Sequence, residues 1–310
     1  MTEPRMAWIA EDPASKAVVD LARKVAETST TLLISGESGT GKDHLARLIH
    51  ELGPRRDAPF LKIDCASLPQ ELVESELFGH ERGAFTGAVE QKLGRLEMAG
   101  SGTIVLDEVA ALSPATQSKL LRVLEERQFE RLGGTETITI TARLIGLTNA
   151  DLGRLVSDGR FREDLFFRLS VLTIAVPPLR SRPADILLLA DALLKRAARI
   201  HGRNGVVFSD PVRCLLLDYR WPGNVRELKN SIERALVFSD GSTLLPEDFP
   251  EPVRTAGSGF GAGLRSLEDI ERDAIHDTLE ATRYKISKSA EILGISRKTL
   301  LDKRKKYGLN

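Results

Sequence analysis

A glycine-rich loop after an apolar stretch is the first chemically informative feature of the chain. Thr31–Ser35 is typical of a buried strand, and a helical pattern begins at Lys42. The residues between them are Gly36, Glu37, Ser38, Gly39, Thr40 and Gly41. This order predicts a phosphate-binding loop, because backbone N–H groups and a helix N-terminus converge on phosphate oxygens, and the lysine reaches the β- and γ-phosphates. A purely structural glycine turn is the alternative, but the spacing, strand and helix all favour the phosphate loop.

Two acids at the end of another apolar run supply complementary chemistry. Thr103–Leu106 is typical of a buried strand, and Asp107 and Glu108 follow it. Open α/β sheets bind ligands at the carboxyl ends of their strands. Asp107 would hold Mg²⁺, mostly through water, and Glu108 would be the general base that polarises the attacking water. The acid pair is a weak signal alone, but with the upstream loop it predicts hydrolysis of ATP with Mg²⁺.

A short glycine-flanked segment lies between these two halves of the site. It consists of Gly83, Ala84, Phe85, Thr86, Gly87 and Ala88. Glycines cannot anchor a core, so we expect Phe85 to be presented at the surface of this Gly83–Ala88 loop. In a nucleotide-hydrolysing domain, such a loop could be moved by ATP chemistry against a partner. The bare pattern favours the alternative, a hairpin tip with its aromatic ring tucked inward.

The longer string Glu74–Ala88 resembles the signature of the AAA+ bacterial enhancer-binding proteins, which activate RNA polymerase carrying sigma-54. The resemblance covers the chain from about Trp8 to Leu309, and the family includes two-component response regulators. It implies an ATPase that binds enhancer DNA and remodels the closed complex of RNA polymerase holoenzyme with sigma-54 into the open complex. It also implies that the Gly83–Ala88 loop makes the sigma-54 contact.

The resemblance assigns roles to two more acids. The family typically has an acid after the loop lysine, where other phosphate loops have Ser or Thr, and Asp43 fits that pattern. It would either touch the metal region or cap the helix. A polar residue that restrains the catalytic glutamate in the family is usually asparagine, and Asp64 occupies its position. Two carboxylates in contact repel unless one is protonated or a cation intervenes, so Asp64 beside Glu108 implies altered coupling between hydrolysis and partner contact.

Asn149 is a further candidate, because it follows the strand-type run Ala142–Thr148. It resembles sensor I of AAA+ proteins, whose polar side chain senses the γ-phosphate or orients water. A polar residue at this point is also typical of a helix N-cap, and the residues alone leave that alternative open.

Three arginines complete the site that the resemblance implies. Arg162 and Arg168 lie in a string similar to the arginine-finger segment of the family, in which both reach the γ-phosphate of a neighbouring subunit; local salt bridges are the alternative. Arg226, within Trp221–Leu228, resembles sensor II of the lid, and its alternative is a surface arginine paired with Glu227. Arginines that act in trans leave a monomer with half a site, so a ring is implied, expected to be a hexamer.

The apolar patterns divide the chain into four parts. Residues 1–176 alternate strand-type and helical stretches, which predicts an α/β domain with a doubly wound, mostly parallel sheet; the resemblance makes it an AAA+ P-loop domain. Residues 177–250 show amphipathic helices without strands and predict a helical lid subdomain. Residues 251–265 are rich in Pro, Gly, Ser and Ala and predict a flexible linker. Residues 266–310 predict an all-α helix-turn-helix domain.

The last part is strongly basic. From Arg283 to Asn310 there are nine Lys or Arg residues against two acids, a net charge of +7, which suits nucleic acid. It resembles the Fis-type helix-turn-helix of the same family, and a basic pair of partner-binding helices is the alternative. Its expected core is Ala290, Leu293, Ile295 and Leu300. Its expected DNA contacts are Ser296, which is also a helix N-cap, Arg297, Lys298, Thr299, Lys303 and Arg304. Leu267–Ala281 is expected to pair two modules on a near-palindromic site.

Composition and termini narrow the class further. Lys plus Arg and Asp plus Glu number 44 each. No apolar run reaches the roughly 18 residues that span a bilayer, and residues 1–10 lack the features of a signal peptide. Cys65 and Cys214 indicate no disulfide framework, and we expect both in the core of a cytoplasmic protein. The ATPase pattern starts near Trp8 without a preceding receiver. Control is then expected from a separate inhibitory protein or from expression level; the alternative is that the given sequence is part of a longer natural chain.

Two other functions fit parts of the chain. One is a DNA-binding regulator, such as a repressor, whose ATPase does not act on sigma-54. The other is a P-loop remodeller of a different substrate. The complete Gly83–Ala88 loop argues against the first alternative, and the helix-turn-helix argues against the second.

Overall fold

The computed structural model of the protein describes residues 8–256, 267–282 and 284–308. The strands are β1 (Leu32–Ser35), β2 (Phe60–Asp64), β3 (Gly79–His80), β4 (Lys92–Leu93), β5 (Thr103–Asp107), β6 (Gln128–Glu130), β7 (Thr137–Thr139), β8 (Arg143–Thr148), β9 (Leu172–Ala175), β10 (Val207–Phe208) and β11 (Thr243–Leu244). The α-helices are α1 (Pro13–Ala26), α2 (Lys42–Leu52), α3 (Gln70–Phe78), α4 (Arg95–Met98), α5 (Pro114–Glu126), α6 (Leu152–Ser157), α7 (Glu163–Leu169), α8 (Pro183–Ile200), α9 (Asp210–Asp218), α10 (Asn224–Phe238), α11 (Glu251–Ala256), α12 (Leu267–Ala281), α13 (Ile286–Ile292) and α14 (Arg297–Lys306). Two compact units meet in the chain between Arg254 and Thr255.

Five strands form one parallel sheet in the order β2–β5–β8–β1–β9. All six residues of β8 and the first four of β5 are buried, as expected for parallel strands covered on both faces. The predicted α/β fold with a parallel sheet is confirmed. Because the strands are parallel, the loops that leave the carboxyl ends of β1, β5 and β8 meet at one edge of the sheet.

The alternation of side chains along each strand builds two separate cores. Leu33 and Ile104 face one layer, which contains α5 and α7, whereas Ile34 and Val105 face the layer that contains α1 and α2. Full burial of one such side chain contributes about 1.5–3 kcal/mol. The sheet is therefore held rigidly between helical layers, and its carboxyl edge is a firm base for a site.

The lid packs around a single tryptophan. Trp221 is fully buried, and its indole N–H donates to the carbonyl of Leu216 at 2.8 Å. The predicted helices are present as α8, α9 and α10, but the absence of strands was wrong, since β10 pairs in parallel with β11. Two-residue strands are too short to show the alternation that identifies a strand in a sequence.

The flexible linker predicted for residues 251–265 begins instead with a helix. Glu251–Ala256 form α11, and Val253 is buried in the apolar cluster of the lid. One well-placed valine is enough to hold this stretch against the lid although its composition is typical of a linker. Residues 257–265, the rest of the predicted linker, lie outside the described residues.

The C-terminal unit is a small three-helix domain. Ala290 and Leu300 are buried with Ile275 and Leu279 of α12, and the other two predicted core residues pack against them. Ser296 caps α14, since its Oγ accepts the backbone N–H of Thr299 at 3.0 Å. The predicted helix-turn-helix core and cap are confirmed.

The two cysteines, both expected in the core, differ in their exposure. Cys65 is buried, but Cys214 is exposed on α9, because Val212 and Leu216, one helical turn apart, occupy the face that packs into the lid.

Within residues 8–256, 267–282 and 284–308, no helix combines the length and the apolar character that a membrane span requires.

Asn224 joins the lid to the glycine loop after β1. Its side chain is fully buried at a positive φ of 52°. Its Nδ2 donates to Glu37 Oε2 and to the Ser38 carbonyl, both at 3.1 Å, and its Oδ1 accepts the Leu179 N–H at 2.8 Å. An amide side chain can donate two hydrogen bonds and accept at once, and asparagine tolerates the left-handed backbone.

Replacing this asparagine should loosen the lid. We expect Asn224→Ala to lower the free energy of unfolding by about 2–4 kcal/mol, because a buried N–H loses its acceptor and alanine is strained at positive φ. Urea unfolding followed by circular dichroism measures the loss. The exposed Asn230 on the same helix is the matched control, and Asn230→Ala should cost less than roughly 0.5 kcal/mol. Equal small losses for both variants would contradict the assigned role.

Candidate functional site

The loop between β1 and α2 has the backbone of a phosphate cradle. Gly36, Gly39 and Gly41 all have positive φ, at 150°, 78° and 103°. At Gly39 a Cβ atom would lie 2.4 Å from the carbonyl oxygen of Gly223, so no other residue fits there. Lys42 starts α2, as predicted. Its Nζ donates to the carbonyls of Gly36 at 2.8 Å and Glu37 at 3.2 Å, which holds the ammonium over the loop.

Lys42 is the buried cation of this cleft. Only 7% of its side chain is exposed, and its Nζ lies 4.0 Å from Glu108 Oε1. Burial lowers the pKa of Lys42, and the carboxylates of Glu108, Asp107 and Asp43 partly counteract that effect. A desolvated ammonium attracts phosphate more strongly than a hydrated one.

Glu37 is tied to the lid and not to the cleft alone. Both of its carboxylate oxygens accept from the guanidinium of Arg180, at 2.6 and 2.8 Å. The bonds from Arg180 and Asn224 lower the pKa of Glu37 to about 2. The loop that would cradle phosphates therefore carries a permanent charge that holds it to the lid.

Glu108 is held in a strained position. Its backbone is left-handed, with φ 55° and ψ 57°, which is costly for a residue with a Cβ atom and typical of functional sites. Its Oε2 accepts the backbone N–H of Asn149 at 3.0 Å. The helix that follows is capped by Asp151, whose side chain accepts from Arg154 N. The N-cap alternative for Asn149 is therefore wrong, and its backbone orients Glu108.

Asp64 and Glu108 have separate partners. Asp64 Oδ1 accepts the backbone N–H groups of Ala66 at 3.0 Å and Ser67 at 3.1 Å. This turn satisfies the charged form of the carboxylate without a contact to Glu108. The structure thus gives Asp64 a local role in the turn after β2, while Glu108 is oriented from β8.

A lysine that the sequence analysis missed lies between two acids of the site. Lys62 Nζ forms an ion pair with Asp107 Oδ2 at 2.7 Å and another with Asp43. Asp43 therefore pairs with Lys62 beside Asp107, and no side chain of the described residues caps the N-terminus of α2. Carboxylate oxygens are the ligands that Mg²⁺ prefers, and the ammonium between them shows that this position favours a cation. The residues present fit Mg²⁺. The signal in the sequence that could have identified Lys62 was a basic residue inside the strand-type run of β2.

Two neighbouring openings, which share Gly41 and His44 among their lining residues, lie beside the glycine loop. A cleft of about 510 Å³ lies beside Lys42 and Glu108. A second cavity of about 190 Å³ is lined by Trp8, His44 and Arg182 among others. The ring of Trp8 stacks on that of His44, with centroids 5.6 Å apart. Trp8 Nε1 and Arg182 Nε are buried without a hydrogen-bond partner among the described residues. The stacked aromatic rings in its lining are of the kind against which a purine base can pack.

Arg226 borders the same cleft from the lid. Its Nη1 donates to Ser38 Oγ at 2.7 Å. Glu227, the partner in the alternative interpretation, instead accepts from Tyr219 Oη at 2.9 Å and from the Gly223 N–H at 2.8 Å. The structure therefore places Arg226 at the phosphate loop, where a change of lid angle would move it.

The two finger candidates lie on the surface around α7. Arg162 forms a two-pronged ion pair with Asp164, at 3.0 and 2.7 Å, and Arg168 pairs with Glu125 at 3.4 Å. About half of each arginine side chain is exposed. Such pairs are weak at the surface, so either arginine can exchange its partner for a stronger anion.

The Gly83–Ala88 loop presents its aromatic residue only in part. Phe85 is 43% exposed, and its ring meets His80 edge-on at a centroid distance of 5.0 Å. The Gly83 N–H donates to the Ala88 carbonyl at 2.8 Å, and Ala88 is buried. The loop is a compact turn with Phe85 at its outer side, intermediate between the presented and the tucked alternatives.

A buried arginine anchors the base of this loop. Arg131 donates to Glu81 at 2.8 Å, to Glu97 at 2.7 and 3.0 Å and to Glu136 at 3.2 Å. The pKa of Arg131 is raised by its bonds to Glu97 and Glu81. Glu81 N–H also donates to the Leu132 carbonyl at 3.0 Å. Sequence reasoning missed Arg131, because its three acids lie 5 to 50 residues away in the chain.

The predicted DNA contacts divide into two groups. Arg297 and Lys298 are exposed at the start of α14. Lys303 instead pairs with Glu271 of α12, which also accepts from Tyr307 Oη at 2.7 Å. Arg304 lies over the ring of Tyr284 at 5.7 Å. Exposed basic side chains therefore lie at both ends of α14, since Lys305 and Lys306 are also exposed.

Family profiles match consecutive parts of the chain. The sigma-54 interaction domain matches residues 8–175, the AAA+ ATPase lid domain residues 180–261, and the Fis family of bacterial regulatory proteins residues 266–307. Among solved structures, NtrX from Brucella abortus in complex with ADP is 31% identical, with a TM-score of 0.76, and covers 97% of this chain and 70% of that one. The same protein in complex with ATP has a TM-score of 0.74 at 32% identity.

Curated relatives show the same similarity. The regulatory protein AtoC of Escherichia coli (strain K12) is 44% identical over 96% of this chain and 67% of its own length. A Nif-specific regulatory protein of Azotobacter vinelandii is 43% identical over 93% of this chain. This chain spans 56% of that second protein. With the phosphate loop, the paired acids and the three matched domains, this chain belongs to the sigma-54-dependent transcriptional activators, and its N-terminal unit is an AAA+ ATPase.

Proposed function

We propose that the protein binds enhancer DNA, assembles into a ring and uses ATP hydrolysis to remodel the closed complex of RNA polymerase and sigma-54 into the open complex. The observation that carries the proposal is the Gly83–Ala88 loop with its half-exposed Phe85, in the same unit as the cleft beside Lys42 and Glu108. We retain the proposed bounds 1–176 for the ATPase core, 177–250 for the lid and 266–310 for the DNA-binding domain, and add α11 to the lid.

The ATP chemistry follows from the residues of the cleft. The loop amides and Lys42 would hold the β- and γ-phosphates, while Glu108 would accept a proton from the attacking water. The Asn149 N–H keeps the Glu108 carboxylate oriented for that step. Asp107, with Asp43, would hold Mg²⁺, which when bound neutralises charge on the phosphates. Arg226 would report the phosphate state to the lid.

Ring assembly would complete the site. Arg162 and Arg168 are exposed and have only surface ion pairs, so they are available to the γ-phosphate of a neighbouring subunit. An arginine supplied in trans stabilises transition-state charge. We propose a hexamer, with dimers formed through α12 of the C-terminal domain.

The anchored loop supports transmission to sigma-54. Arg131 links Glu81, just before the loop, to Glu97 on α4. A buried arginine with several carboxylate partners resists rotation better than a surface pair. Movement at the base would therefore reach Phe85 and Thr86, where a small aromatic patch can supply most of a contact energy.

The DNA-binding domain would act in the cytoplasm, where the duplex is accessible. Ser296, Arg297, Lys298 and Thr299 lie where the recognition helix begins, the part that contacts base edges in helix-turn-helix proteins. A separate inhibitory protein would be one means of control.

The sigma-54 assignment is tested by direct binding. With ADP and a metal fluoride as transition-state mimic, wild-type protein should form a stable complex with purified sigma-54, measured by gel filtration. Thr86→Ala should abolish the complex because the contact is small and centred on this loop. Thr243→Ala, at an exposed residue of β11 in the lid, should leave it intact. Normal ATPase activity and DNA binding without any complex would favour the repressor or the other remodeller.

The general base is tested by turnover. Glu108→Gln should lower kcat for ATP by roughly 10²–10⁴-fold, because the amide cannot accept the proton of the attacking water. Nucleotide affinity, measured by fluorescence titration, should stay within about threefold. Glu71→Gln, at an exposed residue of α3, serves as control. A kcat loss of less than tenfold in Glu108→Gln would exclude this role.

The phosphate contact of Lys298 is tested with salt. On a 30-base-pair duplex of arbitrary sequence, Lys298→Ala should reduce the slope of log K against log salt by about 0.9 per protomer, the value for one released counterion. Lys195→Ala, exposed on α8 in the other unit, should keep the wild-type slope. Identical slopes for all three proteins would remove Lys298 from the DNA interface.

A further inference from the structure

Lys62 is the one basic residue inside β2, and its position is set by the sheet. The register of β2 and β5 pairs Lys62 with Val105 and Asp64 with Asp107. The long lysine side chain therefore reaches diagonally, two residues along the neighbouring strand, to Asp107 Oδ2 at 2.7 Å. The ammonium also pairs with Asp43 of α2. Lys62 thus joins three elements at the carboxyl edge of the sheet.

The cleft needs such a cation. Asp43, Asp107 and Glu108 all line it, and the Lys42 ammonium is committed to loop carbonyls with Glu108 at 4.0 Å. Three carboxylates repel one another and would repel the phosphates of ATP. Burial alone would lower the pKa of Lys62, but bonds to Asp107 and Asp43 outweigh it and raise that pKa, so Lys62 is cationic at neutral pH.

We propose that Lys62 is a built-in counter-ion that competes with the divalent cation for Asp107 and thereby sets how strongly nucleotide binding depends on Mg²⁺. The inference rests on the ATPase site and on the proposed Mg²⁺ ligand Asp107. Lys62 is a positioning residue, since it acts through the two aspartates. Its 37% exposed side chain is free enough to release Asp107 while it keeps Asp43.

Two opposite effects follow from removal of this charge. Without metal, the cleft gains one net negative charge, so ATP should bind more weakly. With metal, Asp107 no longer has to release the Lys62 ammonium before it binds Mg²⁺, so a lower Mg²⁺ concentration should half-saturate the site. A general packing defect would weaken ATP binding both with and without Mg²⁺, and it would not lower the Mg²⁺ requirement.

The experiment measures binding of a fluorescent, non-hydrolysable ATP analogue to the full chain, first in EDTA and then across a Mg²⁺ titration. Lys62→Met should weaken binding in EDTA by roughly fivefold or more, the factor that one unit charge about 4 Å away exerts even at the dielectric constant of water. It should also lower the half-saturating Mg²⁺ concentration by a similar factor. Lys62→Arg keeps the charge and should retain the wild-type curve.

The control is Lys16→Met, at an exposed lysine of α1 paired with Glu11, which should match wild type. The counter-ion role of Lys62 would be overturned if the Lys62→Met curve superimposes on wild type. It would also be overturned if the variant loses the same affinity for the ATP analogue with and without Mg²⁺. If wild-type binding itself does not respond to Mg²⁺, the proposed metal site at Asp107 fails instead. Melting temperatures in EDTA confirm that each variant is folded before its curve is read.

Discussion

The nucleotide cleft depends on one close approach between backbones. Gly39 lies so near Gly223 that a Cβ atom would be 2.4 Å from its carbonyl oxygen, and Val225 N–H donates to the Gly39 carbonyl at 3.0 Å. The phosphate loop and the N-terminus of the lid helix α10 are therefore in direct backbone contact. The buried Asn224 and the pair between Glu37 and Arg180 keep that contact aligned. Because the two backbones are in direct contact, a shift of the loop must also displace the N-terminus of α10.

Charge inside the cleft is arranged around this contact. The acids come from α2 and from the end of β5, and the cations come from α2, β2 and the lid. Lys42 and Arg226 lie on the loop side, whereas Lys62 lies on the side of Asp107. Each cation thus has a different neighbour, and a bound nucleotide would rearrange them unequally. Glu108 has a left-handed backbone, and its orientation is set by the Asn149 N–H and not by a cation alone.

The Gly83–Ala88 loop, which we propose contacts sigma-54, is held in a different way. Its tip depends on glycine turns and on one edge-on contact between Phe85 and His80. Its base depends on Arg131, whose buried guanidinium joins acids from three parts of the chain. A compact turn on an anchored base suits the proposed contact with sigma-54.

Local spacing in the sequence determined a large part of this protein. The strand, glycine loop and helix that begins at Lys42, the acid pair at the end of β5, and the cap and core of the C-terminal helices are all present as predicted. These features depend on residues a few positions apart, and their steric and hydrogen-bonding preferences act over that distance.

Only the tertiary structure decided which distant residues meet. Asp64 bonds the turn after β2, Lys62 reaches Asp107, and Asn224 lies under the phosphate loop. The short strands of the lid and the buried Val253 of α11 were likewise beyond local patterns. The physical reason is that strand order and close packing select such partners. Periodicity along the chain shows which face of an element is buried, but it carries no information about what lies opposite that face.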